Sequence, residues 1–84
     1  MSEVFVYALS TCPWCRKAKE YFTDHGIPFE AVDIDLLPDD ESDRFADEAH
    51  SLSGSRAYPI VKIGDEVVVG YAPEKYEKLL GTAA

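Results

Sequence analysis

The first apolar run, Val4-Phe5-Val6-Tyr7-Ala8-Leu9, carries no polar residue at alternate positions. A half-buried strand alternates, so a β-prone run without alternation predicts a strand covered on both faces. Ser10 and Thr11 follow as candidate N-caps, and Pro13 suits the first turn of a helix. Trp14, Ala18, Tyr21 and Phe22 then recur at helical spacing as far as Gly26, a stop signal with Pro28 beyond it. Phe29 to Ile34 reads as a second strand. About twenty residues, a helix among them, separate the two strands, which predicts a βαβ unit with parallel strands.

The second half follows another pattern. Asp39, Asp40 and Glu41 crowd a helix start, where the macrodipole favours negative charge. Phe45, Ala46, Ala49 and Leu52 form the expected buried stripe of that helix, and Gly54 ends it. Residues 59–63 and 66–69 are β-branched runs separated only by Gly64-Asp65, a two-residue hairpin signal. Pro73 opens a last helix with Tyr76, Leu79 and Leu80 facing inward and Gly81 as its stop. The predicted order is β-α-β-α-β-β-α, most economically one sheet with helices packed on it. Tyr7, Phe22 and Phe45 are assigned to the core.

Composition sets the outer bounds. With 84 residues, 46 % of them hydrophobic and 29 % charged, the chain reads as one small globular domain over residues 1–84. Such a domain buries only roughly 60–65 % of its unfolded surface, so function is expected at the surface. No apolar run approaches the ~20 residues of a membrane span. The start, Met1-Ser2-Glu3, lacks the basic and apolar regions of a secretion signal, so a cytoplasmic protein is expected.

Charge narrows the partners. Eight Lys and Arg against sixteen Asp and Glu give a net charge of −8, which repels phosphate backbones and anionic lipid. Neither nucleic acid nor a membrane is expected as a partner. Three of the eight basic residues, Arg16, Lys17 and Lys19, nevertheless fall within four positions. The acidic stretch from Asp39 to Asp43 reads as a solvated helix start.

That local reversal of sign adjoins Cys12-Pro13-Trp14-Cys15, which holds the chain's two cysteines. Spacing of i,i+3 at a helix start puts both sulfurs on one side, close enough to bridge. Cys12 lies at the positive end of the predicted helix, a placement that favours thiolate, the attacking species in disulfide exchange. A purely structural disulfide is the competing reading, but it would close a very short loop and restrain the unfolded chain little. A zinc site needs two more ligands, and His25 and His50, twenty-five residues apart, match no finger pattern. Both read as solvated or helix-end histidines, and no metal site is assigned.

A Cys-x-x-Cys beside a βαβ pattern is a thioredoxin-like signature. Thr11-Cys12-Pro13-Trp14-Cys15 followed by a basic helix resembles the dithiol active site of the glutaredoxins. Tyr58-Pro59, opening the third strand, sits where that superfamily carries a cis-proline, and the hairpin and the Gly70-Tyr71 turn extend the match from about residue 3 to residue 81. The resemblance implies the α/β thioredoxin fold, a four-stranded mixed sheet with helices on both faces. It also implies a thiol–disulfide oxidoreductase in which Cys12 attacks and Cys15 resolves the mixed disulfide. Pro59, if cis, would offer the backbone of Tyr58 to an extended substrate; an ordinary strand-start proline is the alternative.

The choice of electron donor turns on where the match fails. Glutathione-using relatives usually carry lysine three residues before the first cysteine, where this chain has Leu9. Their Thr-Val-Pro is Ala57-Tyr58-Pro59 here, and their Gly-Gly with a following acid is Val69-Gly70-Tyr71-Ala72-Pro73, with Glu74 one place late. Arg56 remains as a candidate contact for a carboxylate, with a plain surface arginine as the alternative. Losing one recognition charge commonly costs ~1.5–3 kcal/mol, tenfold or more in affinity. The departures favour the glutaredoxin-like thioredoxins, which resemble this chain in their reduced glutathione site. Those take electrons from a reductase such as thioredoxin reductase and pass them to proteins such as ribonucleotide reductase.

Thr11, Pro13, Trp14, Arg16, Arg56, Tyr58, Pro59, Gly70 and Tyr71 are therefore the expected substrate-binding residues, with Cys12 and Cys15 catalytic. Trp14 is either a member of the helix's buried stripe or an exposed aromatic beside the reactive sulfur, and its place between the cysteines favours exposure. Tyr71 is a candidate lip of the same groove. No tightly bound cofactor is expected, although glutathione could serve as reductant, and a monomer is expected. The alternatives are a glutathione-dependent glutaredoxin proper and a module in which paired chains share an iron–sulfur cluster. Pro13 and the second thiol count against the cluster.

Overall fold

The unbroken first run conceals an alternation that organises the molecule. In the computed structural model, which describes residues 3–55 and 57–80, strand β1 spans Val4–Ala8. Successive side chains of a strand point to opposite faces. Val4, Val6 and Ala8 enter one core cluster, while Tyr7 enters another with Phe5 packed beside it. Both faces are covered, as the absence of polar positions implied.

Helix α1, Pro13–Asp24, returns the chain to β2, Glu30–Asp33, which pairs parallel with β1, Val6 opposite Ala31. A single 3₁₀ turn, Ile34–Leu36, leads to helix α2, Asp39–Ser53. Strands β3, Ile60–Ile63, and β4, Glu66–Val69, form an antiparallel hairpin, and β3 runs antiparallel to β1. Its two-residue turn places Gly64 at φ +59° while Asp65 is not at positive φ, the pattern of a turn that needs glycine first. Helix α3, Pro73–Leu80, closes the chain, and the sheet order is β2-β1-β3-β4. This is the four-stranded mixed sheet in the predicted element order.

Two layers flank it. Ala18, Tyr21 and Phe22 of α1 and Tyr76 of α3 pack with Val4, Val6, Val61 and Ile63 on one face. On the other, Ala49 of α2 meets Tyr7, Ile34 and Ile60, with Phe45 and Ala46 at its margin. The two helical layers hold β1 and β3 between them.

Several expectations need correction. Neither Ser10 nor Thr11 caps α1: the N-cap is Cys12, which has no side-chain cap bond. Pro13 occupies the first helical position, so the half-in residue before it must be Cys12, and Thr11 lies one place too early. Ser10 instead turns to the Asp35 carboxylate. Leu52 lies in the last turn of α2, outside the cluster around Ala49, and stays 41 % exposed. Phe45, assigned to the core, is half-buried at its margin, whereas Leu79 and Leu80 face inward as expected, packed against the α1/α3 cluster. Ile34 leaves the second strand to start the 3₁₀ turn, and β3 begins one residue after Pro59. The predicted stop at Gly81 lies outside the described residues. No helix among them is long and apolar enough to cross a membrane.

Candidate active site

Strand β1 ends and α1 begins within four residues, and both cysteines lie at that corner. The Cys12 amide donates to the Leu9 carbonyl at 3.1 Å, and the Cys12 carbonyl accepts from the Arg16 amide at 3.3 Å. Cys12 is half-buried at the open end of the helix, whereas Cys15, one turn in, is 1 % exposed and belongs to the core. The helix thus presents one sulfur and encloses the other. Backbone N–H groups at a helix start favour negative charge close to Cys12.

The environment of Cys15 is specific. Its Sγ accepts the Leu9 amide at 3.5 Å. Burial pushes the thiol up to about 12, opposed by the Leu9 amide and reinforced by the hydrogen bond and charge of Cys12. At neutral pH Cys15 is therefore a thiol.

The loop before β3 brings Tyr58 against the same core cluster that holds Cys15. The peptide between Tyr58 and Pro59 is cis, and Pro59 is fully buried. The Pro59 carbonyl accepts the Gly70 amide at 2.7 Å, and the Gly70 carbonyl accepts the Tyr76 hydroxyl at 2.5 Å. Gly70 stands at φ +88°, open only to glycine without strain. Tyr76 is buried, which raises its hydroxyl to about 12. Burial also raises the Tyr58 phenol, and Cys15, once ionised, raises it further.

Trp14 points outward at 54 % exposure and stacks on Tyr71, ring centroids 6.2 Å apart and 25° between planes. Lys17 Nζ lies 5.0 Å from the Trp14 ring centre, a cation–π contact on an i,i+3 pair. Tyr71 also rests edge-on against Tyr76 at 6.3 Å, so the outer aromatic pair is anchored to the core. Thr11, Pro13 and Arg16 are exposed around Cys12. Lys19 faces another way and pairs with Asp33 at 2.7 Å, tying α1 to the end of β2. Arg56 lies outside the described residues.

The structure thus gathers Cys12, Cys15, Trp14 and Tyr71 at one end of α1, and links Pro59 to Gly70. Contacts the sequence did not announce are the Ser10–Asp35 latch, Lys17 on Trp14, and the 3.2 Å bond between Tyr58 Oη and His50 Nε2. The i,i+3 spacing could have suggested the lysine contact; the other two join distant segments and leave no local signal. Two cavities, of about 610 and 850 Å³, are lined by neither cysteine. Among the described residues no three His, Cys, Asp or Glu side chains converge as metal ligands.

A mixed four-stranded sheet with a dithiol at the start of its first helix defines a protein of the thioredoxin superfamily. The family model for glutaredoxin matches residues 4–68, and the chain belongs to the glutaredoxin family. It is 36 % identical over 75 residues to an uncharacterised glutaredoxin-like 8.6 kDa protein of a Clostridium pasteurianum rubredoxin operon, covering 89 % of this chain and 93 % of that one. The crystal structure of glutaredoxin grx-1 from Archaeoglobus fulgidus superposes with a TM-score of 0.88 at 41 % identity, over 95 % of this chain and 87 % of that one. The NrdH-redoxin of Escherichia coli, a glutaredoxin-like protein described with a thioredoxin-like activity profile, gives a TM-score of 0.72 at 27 % identity, over 92 % and 93 %. Membership places the chain among thiol–disulfide oxidoreductases in general.

Proposed function

We propose that the chain is a small dithiol oxidoreductase that reduces disulfides of other proteins. The observation that carries this is the unequal burial of the two sulfurs, one reachable at the helix end and one enclosed. Cys12, as its thiolate, attacks a substrate disulfide; a Cys12–substrate bond forms and the other substrate sulfur leaves with a proton. Cys15 then gives up its proton and attacks the Cys12 sulfur. The internal disulfide forms and the second substrate thiol is released, two electrons having passed to the substrate. Before the first step the hydrogen bond and charge of Cys12 hold the Cys15 proton in place. Once Cys12 is bonded to substrate those two influences are gone, and deprotonating Cys15 becomes easier at the moment it is needed. Burial, the larger cause, remains.

The donor we propose is a reductase such as thioredoxin reductase, acting in the cytoplasm on a monomer. Leu9 in place of a lysine and Ala57-Tyr58-Pro59 in place of Thr-Val-Pro support a weak glutathione site. Likeness to the NrdH-redoxin supports the same reading, with a protein such as ribonucleotide reductase as acceptor. The exposed stack of Trp14 and Tyr71 supplies apolar area for a protein partner beside the sulfur.

The test compares reduction of the oxidised protein by glutathione plus glutathione reductase with reduction by thioredoxin reductase plus NADPH. Reduction by the second system alone is expected, and efficient reduction by the first would reassign the chain to glutathione. Cys12→Ser is expected to abolish disulfide reduction and Cys15→Ser to accumulate mixed disulfides. Full activity in Cys12→Ser would overturn the mechanism.

A further inference from the structure

The segment between α2 and β3 carries Tyr58 and Pro59, and its backbone is fastened to α2 step by step. The Ser53 hydroxyl donates to the Ala49 carbonyl at 2.8 Å and accepts the Ser55 amide at 3.1 Å. The Ala57 amide in turn donates to Ser55 Oγ at 3.0 Å. At the far end the Pro59 carbonyl is held by the Gly70 amide. Between these anchors stands Tyr58, whose ring packs against both core clusters and so spans the two layers of the molecule. Its hydroxyl meets Nε2 of His50, which is half-buried one turn before the end of α2, and the two rings lie edge to face at 6.0 Å. When the imidazole carries its proton on Nδ1, the Tyr58 hydroxyl donates and His50 Nε2 accepts.

We infer that His50 is a positioning residue for substrate recognition: by accepting the Tyr58 hydroxyl it fixes the Tyr58-Pro59 backbone in register for the main chain of a protein substrate. This rests on the proposed reduction of protein disulfides. His50 touches neither sulfur in any contact described above, so its influence passes through Tyr58 alone. The consequence is selective. A substrate that pairs its main chain with this segment depends on the bond, whereas a small aromatic disulfide, which has no main chain to pair, needs only access to Cys12. The tie is also a product of this chain's own pairing of residues, since it requires a phenol at 58 and an acceptor at 50 together.

The experiment is single-turnover oxidation of the pre-reduced, full-length protein by insulin, and separately by 5,5′-dithiobis(2-nitrobenzoate). His50→Ala and Tyr58→Phe are each expected to raise the half-saturating insulin concentration about three- to tenfold, the effect of one neutral hydrogen bond. In His50→Ala the maximal rate and the reaction with the small disulfide are expected to stay within twofold. His50→Gln, which keeps an acceptor, is expected to restore insulin binding, and the double variant His50→Ala/Tyr58→Phe to be no worse than either single change. An unchanged insulin dependence in His50→Ala, or equal slowing with both disulfides, would overturn the inference and leave the proposed function standing. A wild-type protein that insulin does not oxidise would overturn both.

Discussion

The two faces of the sheet are built to different depths. On the α1/α3 face eleven of the described residues are buried in one cluster, including Phe22, Tyr76 and Cys15; on the α2 face four are, Tyr7, Ile34, Ala49 and Ile60. The deep side is also the aromatic one. Phe22 packs against Tyr76 at 5.1 Å and Phe29 at 5.6 Å, and Tyr21 lies 5.5 Å from Tyr76. Cys15 is a member of this deep cluster, so the sulfur proposed to resolve the mixed disulfide is enclosed by the more closely packed layer. The thinner side contributes His50 and the loop it ties down. The proposed chemistry is thereby anchored to the more deeply buried layer, and the proposed recognition segment lies where the two layers meet.

Truncation on each face would test this contrast. Phe22→Ala removes a fully buried ring from the deep cluster and is expected to cost about 3–5 kcal/mol, measured as the change in urea midpoint. Phe45→Ala on the other face removes a half-buried ring that borders the 610 Å³ cavity and carries the Arg44 guanidinium over it at 5.6 Å. Half of a full side-chain burial predicts a loss of only about 1–1.5 kcal/mol. Equal losses at the two positions would erase the distinction between the layers.

A finer cut is available on the deep side. Tyr76→Phe keeps the ring and its packing but deletes the hydroxyl that the Gly70 carbonyl accepts. The expected cost is about 1–2 kcal/mol, from the bond and from an acceptor left without its donor. Because Gly70 in turn holds Pro59, the same change is expected to weaken protein-disulfide reduction more than it slows reaction with a small disulfide. Burial raises the Tyr76 pKa to about 12, so its contribution is complete below the ordinary tyrosine range and is lost as pH rises from there towards 12. In alkaline titration the wild-type and Phe proteins should therefore converge.

How much of this was readable from the residues depends on the reach of each contact. The element order, the parallel β1–β2 pair and the hairpin followed from short-range signals: the unbroken run at residues 4–9, Pro13, and Gly64-Asp65. The two cysteines were legible because their spacing is local and sits at a predicted helix start. Trp14 shows the limit of periodicity, since it recurs with Ala18 and Tyr21 yet cedes the inward position to Cys15. Leu52 errs the other way, having the right spacing on a helix whose last turn passes beyond its partners. Polar ties were hidden altogether. Ser10 reaches Asp35 across twenty-five residues, and His50 reaches Tyr58 around a turn, with no periodicity to mark either. Such bonds join positions that only the folded arrangement of the apolar segments brings together.

The smallest expected effect belongs to the first of those ties. Asp35 on the 3₁₀ turn accepts the Ser10 amide at 2.8 Å and the Ser10 hydroxyl as well, joining the end of β2 to the loop that leads into Cys12. The hydroxyl bond first and the amide second lower the Asp35 pKa from its ordinary value. A carboxylate whose folded pKa is depressed stabilises the fold above its unfolded pKa and loses that contribution as pH falls through the folded one. Asp35→Asn keeps the shape and an acceptor but removes the charge. Its urea midpoint is expected to lie slightly below wild type at pH 7 and to merge with it as the pH drops below the ordinary carboxylate range. Asp35 is fully exposed to solvent, so the gap should also shrink with added salt. A gap that persisted at low pH would mean that the charge of Asp35 is not what the latch contributes, and that the two bonds from Ser10 hold the loop before Cys12 by their geometry, which the amide reproduces imperfectly.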